Sequence, residues 1–162
     1  MGELIWIAEA RRHLGTAEVP GPQTSPVIDA WLHKLRAWWT DDETPWCGVF
    51  VAACVEVAGF HLPKYWMRAT AWADWGSRLS APIYGCIVVF ERKGGGHVGF
   101  VVGSSAQGGL MVLGGNQGNK VSILPFDRNR VLAYVWPPGV ALPDTRLAEL
   151  DDGGAALSED EA

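Results

Sequence analysis

The chain lacks most of the features that would assign it by composition alone. It has three cysteines in 162 residues, at positions 47, 54 and 86. They form no C-x-x-C pair and no zinc spacing, and the odd number argues against a disulfide framework. A reducing compartment and one reactive thiol fit better. Excess positive charge is also missing. The net charge is −5, of which residues 144–162 contribute −6 and residues 1–143 +1, so the basic stripe expected of a nucleic-acid partner is absent. No apolar run approaches the roughly 18 residues of a membrane span. Met1-Gly2-Glu3 offers no basic n-region, and Glu9, Arg11 and Arg12 interrupt the apolar stretch that follows. Action at a distance from the site of synthesis would then require delivery by another agent. No internal repeat is visible. No cluster has metal-ligand spacing, and the Asp41-Asp42-Glu43 run reads as a solvated loop, so no metal or cofactor is expected.

Enough apolar sequence remains for one well-formed core: 48% of residues are hydrophobic, and nine are Trp. The Trp side chains suit either packing or an aromatic-lined groove. Glu3 to Leu14 reads as an amphipathic helix with Leu4, Ile7, Ala8 and Leu14 on one face, stopped by Gly15. Ser25-Pro26 opens a second helix as N-cap and N1, with an apolar stripe of Ile28, Trp31, Leu32, Leu35 and Trp39. Thr44-Pro45 repeats that signal for a helix over Pro45 to Ala58, ended by Gly59 and apolar almost all round, hence central and buried. Thr70 to Leu79 reads as another short helix.

Beyond Pro82 the texture changes to β-branched runs separated by turns: 86–90, 97–102, 110–113, 121–124 and 131–136. These predict an antiparallel meander, and helices followed by strands give an α+β class. Residues 1–143 form the expected domain. Residues 144–162 read as an acidic, disordered tail, whose removal should leave activity nearly intact.

The chemistry-bearing residues lie at the junctions of these elements. Counted from Thr44 as N-cap, Cys47 falls at N3, where free backbone N–H groups and the positive end of the helix dipole favour a thiolate and could hold an oxyanion. His97 opens a strand after Gly94-Gly95-Gly96, a rigid seat for a general base. Asn116 ends the next strand, where an amide could accept the ring N–H and fix its tautomer. Trp46 could wall a substrate groove, Gly48 and Gly96 could leave room for substrate, and Gln117 could contact it. Each residue also has a plain packing role open to it; the order nucleophile, base, orienting amide is what suggests catalysis.

T-P-W-C-G-x-F-V, G-x-I-V-V-F, G-H-V-G-F-V and L-G-G-N-Q together resemble the CHAP and NlpC-like cell-wall hydrolases. The opening LGTAEVPGPQTSPVI is similar to their single-domain phage and prophage branch. The likeness spans roughly residues 4–136. It implies a papain-like fold, N-terminal helices packed on a five- to six-stranded antiparallel sheet, with Cys47 as nucleophile, His97 as base and Asn116 as third member. It departs from the family pattern at Gly85-Cys86, where many relatives have G-D, and at Gly114-Gly115-Asn116, where many CHAP domains have Glu-x-Asn. The orienting role then falls on Asn116 or Gln117. The implied substrate is bacterial peptidoglycan, cut within the stem peptide or between N-acetylmuramic acid and L-alanine. The implied protein is a monomer, made in the bacterial cytoplasm and acting at the wall or periplasm. A phage lysin released through a holin is the first setting. A secreted toxin with an immunity partner, a non-catalytic wall-binding module and a cysteine acyltransferase remain as alternatives.

Overall fold

The computed structural model describes residues 3–19, 23–39, 45–92, 95–143, 147–150 and 157–158. Helix α1 spans Ile5–Arg12 and buries Trp6, Ile7 and Ala10. The expected stripe was displaced: Ala8 is exposed, and Leu14 lies in the turn beyond the helix, because Trp6 carries the largest apolar surface and takes the inward face. Helix α2, Pro26–Lys34, starts as expected, with Ser25 Oγ accepting the Ile28 N–H and Pro26 at the first position. Its whole predicted stripe, out to Leu35 and Trp39, is buried. The helix closes with Ala37 N–H donating to Leu32 O at 2.9 Å and Arg36 N–H to His33 O at 3.1 Å. That motif places Arg36 at φ 59°, a conformation glycine adopts more cheaply.

Helix α3 spans Cys47–Val57. It begins two residues later than the Thr44-Pro45 signal suggested. Trp46 is the N-cap and Cys47 the first helical residue, while Thr44 lies outside the described residues. The end falls as expected: Gly59 at φ 90° donates to Glu56 O, and Phe60 N–H to Val55 O. Every residue from Cys47 to Val55 is buried, because α1, α2 and the sheet all pack against α3.

The segment expected as a fourth helix divides instead into a short 3₁₀ helix, Ala69–Asp74, and strand β1, Ser77–Leu79. Pairing wins over helix propensity there, as Ser77 to Leu79 sit opposite Trp136 to Tyr134. The remaining strands are β2 (Ile87–Arg92), β3 (Gly95–Ser105), β4 (Leu110–Gly114), β5 (Ser122–Phe126), β6 (Val131–Trp136) and β7 (Glu149–Leu150). All five predicted strands exist. β2 to β5 form the expected meander, but β6 returns to the opposite edge of β2, giving the order β1-β6-β2-β3-β4-β5. The result is an α+β arrangement of N-terminal helices on a largely antiparallel sheet, consistent with the papain-like fold.

Beyond Pro143, the described residues 147–150 and 157–158 lie against the sheet. Glu149 and Leu150 pair in parallel with Ser104 and Ser105 of β3, and Ser104 N–H donates to Ala148 O at 2.8 Å. Leu150 lies against Gly103 and Leu157 against Gly109. Ser158 N–H donates to Pro125 O, and its own carbonyl accepts from Arg130. A few leucines among the acids suffice to hold these residues to the sheet.

Candidate active site

The three thiols differ in their surroundings. Burial pushes the Cys86 thiol up to about 12. Burial, with the Glu9 charge second, raises Cys54 well above its ordinary range. Both stay protonated at neutral pH and behave as small hydrophobes. Cys47 is 4% exposed and stands at the start of α3. The first helical bond runs from Phe50 N–H to Trp46 O at 3.0 Å. The N–H groups of Cys47, Gly48 and Val49 therefore precede the helical ladder, at the positive end of the dipole. No acidic side chain occupies this first turn.

His97 lies on β3, fully buried. Its ring stacks on Phe126, centroids 5.4 Å apart and planes 8° apart, and more loosely on Phe90 at 6.1 Å. Imidazole Nε2 is 2.9 Å from Gln117 Oε1. The orientation of that amide follows from its other contacts. Gln117 Nε2 donates to the carbonyls of Val112 at 3.1 Å and Ser122 at 3.0 Å, which only accept. Oε1 must therefore face the ring, and Nε2 of a neutral His97 carries the proton. Nδ1 is then the nitrogen with the lone pair.

The loop after β4 joins these two halves. Asn116, buried at φ 60°, turns the chain between β4 and Gln117. A Cβ on Gly115 would come within 2.6 Å of Phe50 Cβ and 2.8 Å of Trp46 Cζ3. A Cβ on neighbouring Gly114 would lie 3.3 Å from His97 Nε2. The residues around Cys47 thus press on one side of this loop, and the His97–Gln117 pair on the other. The absence of side chains at 114 and 115 permits the approach.

Burial constrains the remaining candidate residues. Gln117, expected to touch substrate, is buried and committed to internal bonds, and it supplies the ring contact that the sequence left between Asn116 and Gln117. Trp46 is fully buried, with its Nε1–H donating to Glu18 Oε1 at 2.8 Å. Gly48 is a packing requirement: a Cβ there would meet Trp66 O at 2.6 Å and Met67 O at 2.9 Å. Gly96, likewise, faces Phe90 O and Thr70. Phe126 and Glu18 carried no signal of their own, the first being one apolar residue in a strand and the second one acid in a loop. Among the described residues, no group of three or more His, Cys, Asp or Glu could hold a metal ion, and no helix is long and apolar enough to cross a membrane. Asp41-Asp42-Glu43 lies outside them.

No curated protein matches the chain. Residues 39–116 match the family model of the CHAP domain, a family typically of cysteine- and histidine-dependent amidases and peptidases, with peptidoglycan as the implied substrate. The matched segment runs from the end of the α2 stripe through α3 and β2–β4 to Asn116, and so contains both Cys47 and His97. This segment, just under half of the chain, is similar to the CHAP domain and supports reading the chain as a small single-domain protein of that kind.

Proposed function

We propose that this protein is a peptidoglycan hydrolase that cleaves an amide bond through a Cys47 thioester, with His97 as base and Gln117 as the group that orients it. The observation that carries the reading is the loop 114–117, which has the start of the Cys47 helix on one side and the His97–Gln117 bond on the other. Gln117 holds the proton of a neutral imidazole on Nε2, so Nδ1 accepts the thiol proton. The thiolate sulfur attacks the amide carbonyl carbon, and N–H groups in the first turn of α3 receive the developing oxyanion. As the C–N bond breaks, the imidazolium returns its proton to the leaving amine. Water, deprotonated by the same imidazole, then attacks the thioester, and the C–S bond breaks to give a carboxylate and regenerated thiol. The scissile bond lies in the stem peptide or joins N-acetylmuramic acid to L-alanine. The setting we propose is a phage lysin acting at the wall after release through a holin, on the likeness of the opening segment to that branch.

Dye release from labelled sacculi tests the assignment. Wild type should solubilise label. Cys47→Ala and His97→Ala should not, while remaining folded by circular dichroism. Full activity in either variant would remove that residue from the mechanism.

A further inference from the structure

The segment between α1 and α2 takes no part in the chemistry above, yet it touches both halves of the site. Gly15 N–H donates to Val121 O at 2.9 Å and Val121 N–H to Thr16 O at 2.8 Å. Ala17 bridges to Lys120, and Glu18 N–H donates to Asn119 O at 3.0 Å. Lys120 O in turn accepts from Gln117 N–H at 3.0 Å. Residues 15–18 therefore form a short strand-like brace along the loop that carries Gln117. From this brace the Glu18 side chain reaches across to the other half, its Oε1 2.8 Å from Trp46 Nε1. Trp46 is the N-cap of α3 and the residue before Cys47. Its ring is fully buried against Gly115, and its one side-chain polar atom, Nε1, donates to this carboxylate.

We propose that Glu18 is a positioning residue for the nucleophile: it locks Trp46, and with it the backbone at Cys47, in register with the loop that holds the His97–Gln117 pair. The inference rests on the cysteine-hydrolase reading. Its physical content is that a hydrogen bond accepted by a carboxylate is stronger than a neutral one, and that a buried indole N–H left without an acceptor is costly enough to drive the ring elsewhere. Because Trp46 also packs on Gly115, a shift of the ring disturbs both sides of the site at once. Loss of positioning should lower turnover without weakening substrate binding, since Trp46 is fully buried and Glu18 holds it from within the fold.

The test uses the full chain and two readouts. The first is kcat and KM on soluble glycan-peptide fragments of peptidoglycan. The second is the rate of Cys47 carbamidomethylation by iodoacetamide, which needs no substrate. Glu18→Ala should lose roughly ten- to hundredfold in kcat with KM changed less than about threefold, the scale of a small misplacement of reacting groups. It should also alkylate more slowly at Cys47. Glu18→Gln keeps an acceptor oxygen at the same reach and should recover most of both rates. Trp46→Phe keeps an aromatic ring but removes the N–H together with part of the indole, and should lose kcat at least as far as Glu18→Ala does. The double variant should lose little more than either single one. Wild-type kcat and alkylation in Glu18→Ala, or in Trp46→Phe with Glu18 intact, would overturn the proposal. So would a Glu18→Gln variant as impaired as Glu18→Ala, or losses that multiply in the double variant. If wild type cleaves no peptidoglycan, the hydrolase reading fails by itself, and the alkylation series still decides whether Glu18 positions Cys47.

Discussion

Replacing Gln117 by Ala should separate the structural and catalytic parts of the site. The side chain is buried and makes three well-formed bonds, to His97 Nε2, Val112 O and Ser122 O. At about 1 kcal/mol for each buried bond, their loss should cost roughly 3 kcal/mol of stability, before the void left by the truncated side chain is added. For a chain of this size that corresponds to a fall of about 10 °C in Tm. The catalytic loss is a separate quantity. Without Oε1 the imidazole no longer has its proton fixed on Nε2, and turnover measured well below the melting midpoint should fall roughly ten- to thousandfold, or about 1.4–4 kcal/mol of barrier. Asn116→Gly is the matched control. Glycine tolerates the φ of 60° at that position, so the loop keeps its course. The assay is hydrolysis of soluble glycan-peptide fragments by both variants, alongside thermal unfolding. A greater loss of turnover in Asn116→Gly than in Gln117→Ala would refute the assignment of the orienting role to Gln117.

Four further outcomes follow from the same geometry. Iodoacetamide at neutral pH should label Cys47 in the native protein and reach Cys54 and Cys86 only on unfolding, as read by peptide mass spectrometry. Because the folded-state Cys86 thiol is raised from 9.0 to about 12, its contribution to stability is complete below pH 9 and is lost as pH rises from there to about 12. Cys86→Ala should flatten that decline in denaturant titrations. Arg36→Gly relieves a left-handed non-glycine residue at the end of α2 and should raise stability by about 0.5–1 kcal/mol in urea unfolding. Truncation after Pro143 removes the β7 pairing and the contacts of Leu150 and Leu157. It should lower stability by roughly 2 kcal/mol, given partial burial of these side chains, and an unchanged Tm would mean that the tail adds nothing.

Local chemistry made much of the fold legible in the sequence. Ser25-Pro26 started α2 and Gly59 ended α3, because caps depend on one or two residues and their backbone angles. The β-branched runs located β2 to β6 for the same local reason. Pairing partners were not legible: nothing in Val131–Trp136 says that it returns to β2 instead of continuing the meander past β5. The 77–79 segment became a strand only because that returning β6 offered it an edge. In the site, Cys47 and His97 stood out by residue type and position. The choice between Asn116 and Gln117 could not be made, because two adjacent amides differ only in the direction that backbone angles give them. The inward face of Trp46 was hidden for a similar reason, since an indole beside a cysteine serves equally well as a groove wall or a buried brace. Leu150 and Leu157 were outweighed by their acidic neighbours in composition, although contact depends on individual side chains.

The most direct test of the central claim is mass spectrometry of purified sacculi digested with wild type and with Cys47→Ala. The account predicts new soluble fragments from wild type alone, with a free carboxylate on one side of a former amide bond and a free amine on the other, whose masses name that bond. Fragments released equally by Cys47→Ala, or none from either protein on walls from several hosts, would contradict it.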